Sequence, residues 1–268
     1  AASRINFYDG LYRWVDNPPK IIPWLAESHS ASADGKTWTF KLKQGVKFHD
    51  GSEMTADDVV YSMERMLATK KGASSLFLPI IMPGTTKAAD KYTVVFTLKE
   101  PSAIFIATVP EILIVNSKLV KANEKDGDWG QAWLAKNVAS TGSYKLKRYD
   151  PAVGFIGEKF KEHFAGWGPK SFDEIEFRTV LETNTRVQGL IKGDYHGTDG
   201  YLPYDQILRL KQQANVQVLE QESMRVFYFS IHNARPPLND VHFRRALAYA
   251  FDYDGFINDI LKGAVARN

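Results

Sequence analysis

The sequence predicts a mixed α/β protein of more than one domain, on three observations. Between Glu174 and Ile231 the order strand, helix, helix, strand, strand is that of an α/β layer. The 268 residues exceed the usual size of one compact domain, which favours two. With 44% hydrophobic, 24% charged and 13% aromatic residues, the chain can fill a core and is not disordered as a whole.

From the N-terminus, Asp34-Gly35 is a turn pair ahead of Thr37–Leu42, whose apolar and polar residues alternate as in a half-buried strand. After a second turn pair, Asp50-Gly51, Thr55 stands at an N-cap with Asp57 and Asp58 in the first turn. Val59, Val60, Met63, Met66 and Leu67 then form one helical stripe, and these methionines read as core. Residues 70–84 read as a long irregular connection of the kind that often carries function, and Thr93–Leu98 returns to strand character.

Small and polar residues at 139–142 mark a first boundary between the helical stretch Trp129–Asn137 and a strand at Tyr144–Tyr149. Beyond it, strands are expected at Glu174–Val180, Val216–Glu220 and Arg225–Ile231, and helices at Asn184–Gly193 and Pro203–Gln213. Two terminal helices follow. One starts near Asn239-Asp240 and bears Phe243, Ala246, Leu247, Ala250 and Phe251 on its apolar face; the other starts near Asp254 and is ended by Gly263.

A net charge of +3, from 34 basic and 31 acidic residues interleaved along the chain, lacks the basic face of a nucleic-acid binder. The absence of cysteine removes disulfides and thiolate chemistry without fixing the compartment. No run of about 18 apolar residues predicts a membrane span, and the first residues lack a signal-peptide pattern, so a mature or truncated start is expected. No GxSxG, P-loop, strand-linked GxGxxG or HExxH motif is present. None of the six histidines are paired at helical metal-ligand spacing, and Asp252–Gly255 lacks the further acids of a calcium loop. Neither a catalytic residue nor a metal or other cofactor is therefore expected. The 31 acids leave a carboxylate-dependent hydrolase as the alternative from another functional class.

An ordered series of segments carries a resemblance: Phe7–Trp14 (FYDGLYRW), Ile21–Arg65, Ser140–Asp150, Leu190–Leu210 and Phe227–Leu261. In that order the chain resembles the periplasmic dipeptide-, oligopeptide- and nickel-binding proteins of ABC transporters, extracellular solute-binding family 5. The resemblance implies a periplasmic binding protein-like fold, class II of the large peptide-binding type, in truncated form. A first α/β lobe would comprise residues 1–14 and 139–235, an additional α+β domain residues 15–138, and the start of a mostly missing second lobe residues 236–268. In such relatives the second lobe supplies the charges that hold peptide termini. The implied function is periplasmic capture of a solute, foremost a di- or oligopeptide, for delivery to ABC permease subunits in the membrane. An oligosaccharide, an opine or a nickel complex is the alternative cargo, and a fragment that binds nothing and self-associates through an exposed apolar face is a further possibility.

Six residues are the candidate ligand contacts. Tyr8 lies in the opening motif, and His232 and Asn233 end a predicted strand, where α/β sheets present ligands. The Asn233 amide suits a peptide backbone or a sugar hydroxyl, or it caps the following turn. Ser75 and Phe77 match the region from which the additional domain of relatives reaches extended ligands; ordinary loop packing is the alternative. Tyr201, with Tyr204 across Pro203, offers either an aromatic stacking surface or core packing.

Overall fold

A computed structural model of the chain describes residues 2–221, 226 and 228–267, with side chains from residue 5 onward. It divides into two compact units, residues 1–179 and 180–268.

The first unit opens with helix α1 (Ala2–Phe7) and a hairpin of β1 (Tyr12–Val15) and β2 (Lys20–Pro23). Its main sheet is antiparallel, in the order β3-β4-β6-β5, from Ala26–Ala31, Thr37–Leu42, Thr93–Leu98 and Ile81–Asp90 respectively. The alternation read from β4 is realised: Trp38, Phe40 and Leu42 are buried, as are Val94, Phe96 and Leu98 of the paired β6. Helix α2 (Ala56–Thr69) closes this core with Val59, Met63 and Leu67. Fully burying a side chain of this size stabilises by about 1.5–3 kcal/mol.

Thr55 is the N-cap of α2 as predicted, with Asp58 as the acceptor: one carboxylate oxygen takes Thr55 N at 2.9 Å and Thr55 Oγ1 at 3.1 Å. Its other oxygen takes Ser117 N at 2.9 Å and Oγ at 2.7 Å, tying α2 to the start of the short helix Ser117–Ala122. The stretch read as an irregular connection is more ordered than expected. It holds a short helix α3 (Ser74–Phe77), and β5 already begins at Ile81 because Ile81 pairs with Leu98. Short helices α4 (Phe105–Thr108), α5 (Ser117–Ala122) and α6 (Gln131–Leu134) follow. The unit ends in a three-stranded antiparallel sheet of β7 (Tyr144–Asp150), β8 (Gly154–Lys159) and β9 (Glu174–Arg178).

The second unit contains α7 (Thr183–Lys192), α8 (Tyr204–Lys211), α9 (Val241–Ala250) and α10 (Tyr253–Gly255), the last running into a π-helical turn at Phe256–Ile260. Asp240 Oδ1 accepts His242 N at 2.7 Å, so the predicted helix start is correct. The strand predicted at 216–220 is an irregular, unpaired segment, and the one at 225–231 lies partly outside the described residues, with Val226 and Tyr228–Ile231 also unpaired. A strand needs a ladder partner, and none is present among the described residues of this unit. For the same reason α9 buries no residue, and Phe243 and Leu247 of its predicted apolar face stand exposed.

Candidate functional site

The opening motif is held by backbone contacts that only glycine permits. A Cβ on Gly10 would come within 2.9 Å of the Pro110 carbonyl oxygen, and the Gly10–Leu113 bridge depends on that closeness. A Cβ on Gly142 would fall 2.2 Å from the Phe7 carbonyl carbon, where Gly142 N donates to Phe7 O. These two approaches fix residues 7–10 between segments 110–114 and 140–143.

Asp9, buried at the centre of this junction, accepts Trp24 Nε1 at 2.6 Å and Thr141 Oγ1 at 2.8 Å. His163 Nε2 stands 3.5 Å from its Oδ2, at the outer limit of hydrogen bonding, so this contact is chiefly electrostatic. Burial opposes ionisation of Asp9, but the adjacent His163 ring and the hydrogen bonds from Trp24 and Thr141 outweigh it and hold the carboxyl below its ordinary range. His49 completes the junction through Nε2 on Gly142 O at 2.8 Å, and burial pushes its imidazole down.

Beside this junction lies a recess of roughly 330 Å³ whose walls include Tyr8, Tyr12, Arg13, Trp14, Trp24 and Leu113. Tyr8, half-buried, also packs against the small cluster of Tyr61, Val115, Val120 and Ala139, and burial raises its phenol pKa against the opposing charge of Arg65. Of the other candidates in this unit, Ser75 is exposed on α3, whereas Phe77 is fully buried in the main core and offers no surface to a ligand. Tyr8 and Phe77 therefore serve different places, a recess wall and the core.

In the second unit Tyr201 is exposed in the loop ahead of α8, its N–H donating to Asp199 Oδ1 at 3.2 Å and Asp199 pairing with Arg186 Nη1 at 3.1 Å. The turn after the predicted strand is capped by His232, whose Nδ1 accepts Ala234 N at 3.3 Å. Asn233 is exposed, and its amide has no hydrogen-bond partner among the described residues. The capping alternative weighed for Asn233 thus falls to its neighbour.

Sequence reading missed Asp9, Thr141, His163 and Arg13. Asp9 and Arg13 lay within the opening motif, but nothing local signals that Asp9 meets Thr141. No group of three potential metal ligands occurs among the described residues, and no described helix is long and apolar enough to cross a membrane.

Comparison with known proteins places this geometry. The family described as bacterial extracellular solute-binding proteins, family 5 Middle, matches residues 20–267. The probable D,D-dipeptide-binding periplasmic protein DdpA of Escherichia coli K12 is 36% identical over 89% of this chain and 45% of its own length. The dipeptide-binding protein of the same organism is 30% identical over 98% of this chain and 52% of its own. Among solved structures, the periplasmic binding protein DppA of Helicobacter pylori in complex with the peptide STSA superposes with a TM-score of 0.82 at 26% identity, over 96% of this chain and 53% of that one. The chain spans about half the length of these relatives. With the family matching over residues 20–267 and the fold superposing over almost the whole chain, the chain belongs to the bacterial extracellular solute-binding proteins, family 5.

Proposed function

We propose that the chain is part of the periplasmic substrate-binding component of an ABC importer, which captures a di- or oligopeptide and delivers it to the permease. The observation that carries this reading is the match over residues 20–267 to the solute-binding family, together with curated relatives named for dipeptides. Asn233, with an unengaged amide, and the exposed Tyr201 and His232 are the proposed ligand contacts of the second unit; Tyr8 and Ser75 are those of the first. Residues 1–14 and 139–235 are proposed as the first lobe, 15–138 as the additional domain and 236 onward as the start of the second lobe. The division after Thr179 is one of packing within the chain.

A binding role also agrees with the ionisation at the junction. The one buried acid at the junction, Asp9, is held below its ordinary range by its donors, the opposite of what a general acid requires. Native mass spectrometry after gentle purification tests the cargo: a co-purified peptide mass is expected, and a sugar, opine or nickel-complex mass replaces the peptide assignment. Asn233→Ala is expected to weaken peptide binding by about tenfold, the loss of one or two hydrogen bonds. Turnover of a carbohydrate panel above background overturns the binding reading altogether.

A further inference from the structure

Apart from Tyr8, the recess in the first unit is walled by groups to which the proposed function gives no role. Trp14 and Ile5 in its walls leave 42% and 60% of their surface exposed, so apolar area is open to a ligand. Arg13 lies on β1, its guanidinium carbon 4.7 Å from the centre of the Trp24 ring. A guanidinium stacked by its face keeps the N–H groups of its edge for other partners. Among the described residues no carboxylate lies within ion-pair distance of Arg13, and none of its N–H groups has an acceptor.

The acids of the same recess are engaged elsewhere: Asp9 by Trp24 and Thr141, and Glu111 by a partner of its own. Lys43 Nζ stands 5.9 Å from the Trp24 ring centre and 5.1 Å from that of Phe164, so a second positive charge lies near the Trp24 wall. The volume of roughly 330 Å³ lies at the lower end of small-molecule sites, enough for one ring and a short polar tail.

We propose that this recess is a binding site for a small carboxylate bearing an aromatic or branched apolar group. The apolar group seats against Trp14, Trp24 and Leu113, and the carboxylate pairs with the Arg13 edge in the field of Lys43. The site lies wholly within the first unit, and the assignment holds whatever cargo the importer carries.

Two probes test it: N-acetyl-phenylalanine, and its neutral amide, which keeps the ring and removes the charge. Each is titrated into the 268-residue chain while backbone and indole N–H resonances are followed by NMR. The carboxylate is expected to shift resonances of residues 8–14 and 24 and to bind at least about tenfold more tightly than the amide. Arg13→Gln is expected to erase that preference, so that both probes bind alike, and Arg13→Lys to retain part of it. Equal affinity of the two probes for the unaltered chain overturns the proposal. So does a preference that survives Arg13→Gln, or the absence of any shift up to about 10 mM probe. If Arg13→Gln does not fold, the probe comparison on the unaltered chain and on Arg13→Lys decides.

Discussion

Replacing Asp9 by Asn keeps the shape of a buried side chain while removing the charge that Trp24 and Thr141 address. Each of those two hydrogen bonds, at 2.6 and 2.8 Å, is made to an ionised acceptor. Bonds to charged groups are worth about 1.5–3 kcal/mol against roughly 0.5–1.5 for neutral pairs, so the bond to the remaining oxygen loses about 1 kcal/mol, and the amide nitrogen that replaces the second oxygen cannot accept, which forfeits about 1.5–3 kcal/mol there. The expected total is about 2.5–4 kcal/mol, a large part of the 5–15 kcal/mol typical of a folded protein. All six tryptophans lie in the first unit, so urea unfolding followed by tryptophan fluorescence reports that unit alone. The pH dependence supplies the sharper test. The folded Asp9 carboxyl titrates below its ordinary value of 3.8, so its stabilisation is present above pH 3.8 and is lost as pH falls through the folded value. The gap between Asp9→Asn and the unaltered chain is therefore expected to stay level from pH 7 to about pH 4 and to close below it. A gap under about 1 kcal/mol at pH 7, or one that does not narrow in acid, refutes the reasoning.

Gly142→Ala places a Cβ 2.2 Å from the Phe7 carbonyl carbon and is expected to cost about 3 kcal/mol or more; an unchanged urea midpoint contradicts the close approach. Phe77→Ala is expected to lose about 3–5 kcal/mol by opening a core cavity, while Ser75→Ala changes stability by less than about 0.5 kcal/mol. Equal urea midpoints for that pair are inconsistent with the burial of Phe77. Burial holds the His49 imidazole below its ordinary value of 6.5, so its contribution is present above pH 6.5 and is lost as pH falls from there through the folded value. The thermal midpoint is expected to drop between pH 7 and pH 5 and to drop less in His49→Gln, which retains a donor for Gly142 O; parallel slopes for the two proteins contradict this.

Several elements were legible from local pattern alone. The alternation of Thr37–Leu42 and Thr93–Leu98, the stripe from Val59 to Leu67 and the caps at Thr55 and Asp240 all depend on neighbours within a few residues. An ordered set of motifs sufficed for the family. The part of the candidate site carried by the opening motif was also visible, in Tyr8. Its partners were not: Asp9 meets Thr141 across 132 positions, and no local signal records such a contact.

The sequence by itself determined the helical or extended character of most segments, the buried faces of β4, β6 and α2, and the lineage to which the chain belongs. The tertiary structure decided what those segments pair with. It drew Ile81–Asp90 into a strand because β6 offered a free edge, and it buried Phe77 because the core between α2 and the sheet had room for it. It left Val216–Glu220 unpaired among the described residues although its pattern is that of a strand. A strand or a core position becomes stable only when a distant segment supplies the ladder or the packing, and that information lies in the folded chain as a whole. The opening motif shows both levels at once: its residues are local, and the grip on Asp9 that shapes the recess is not.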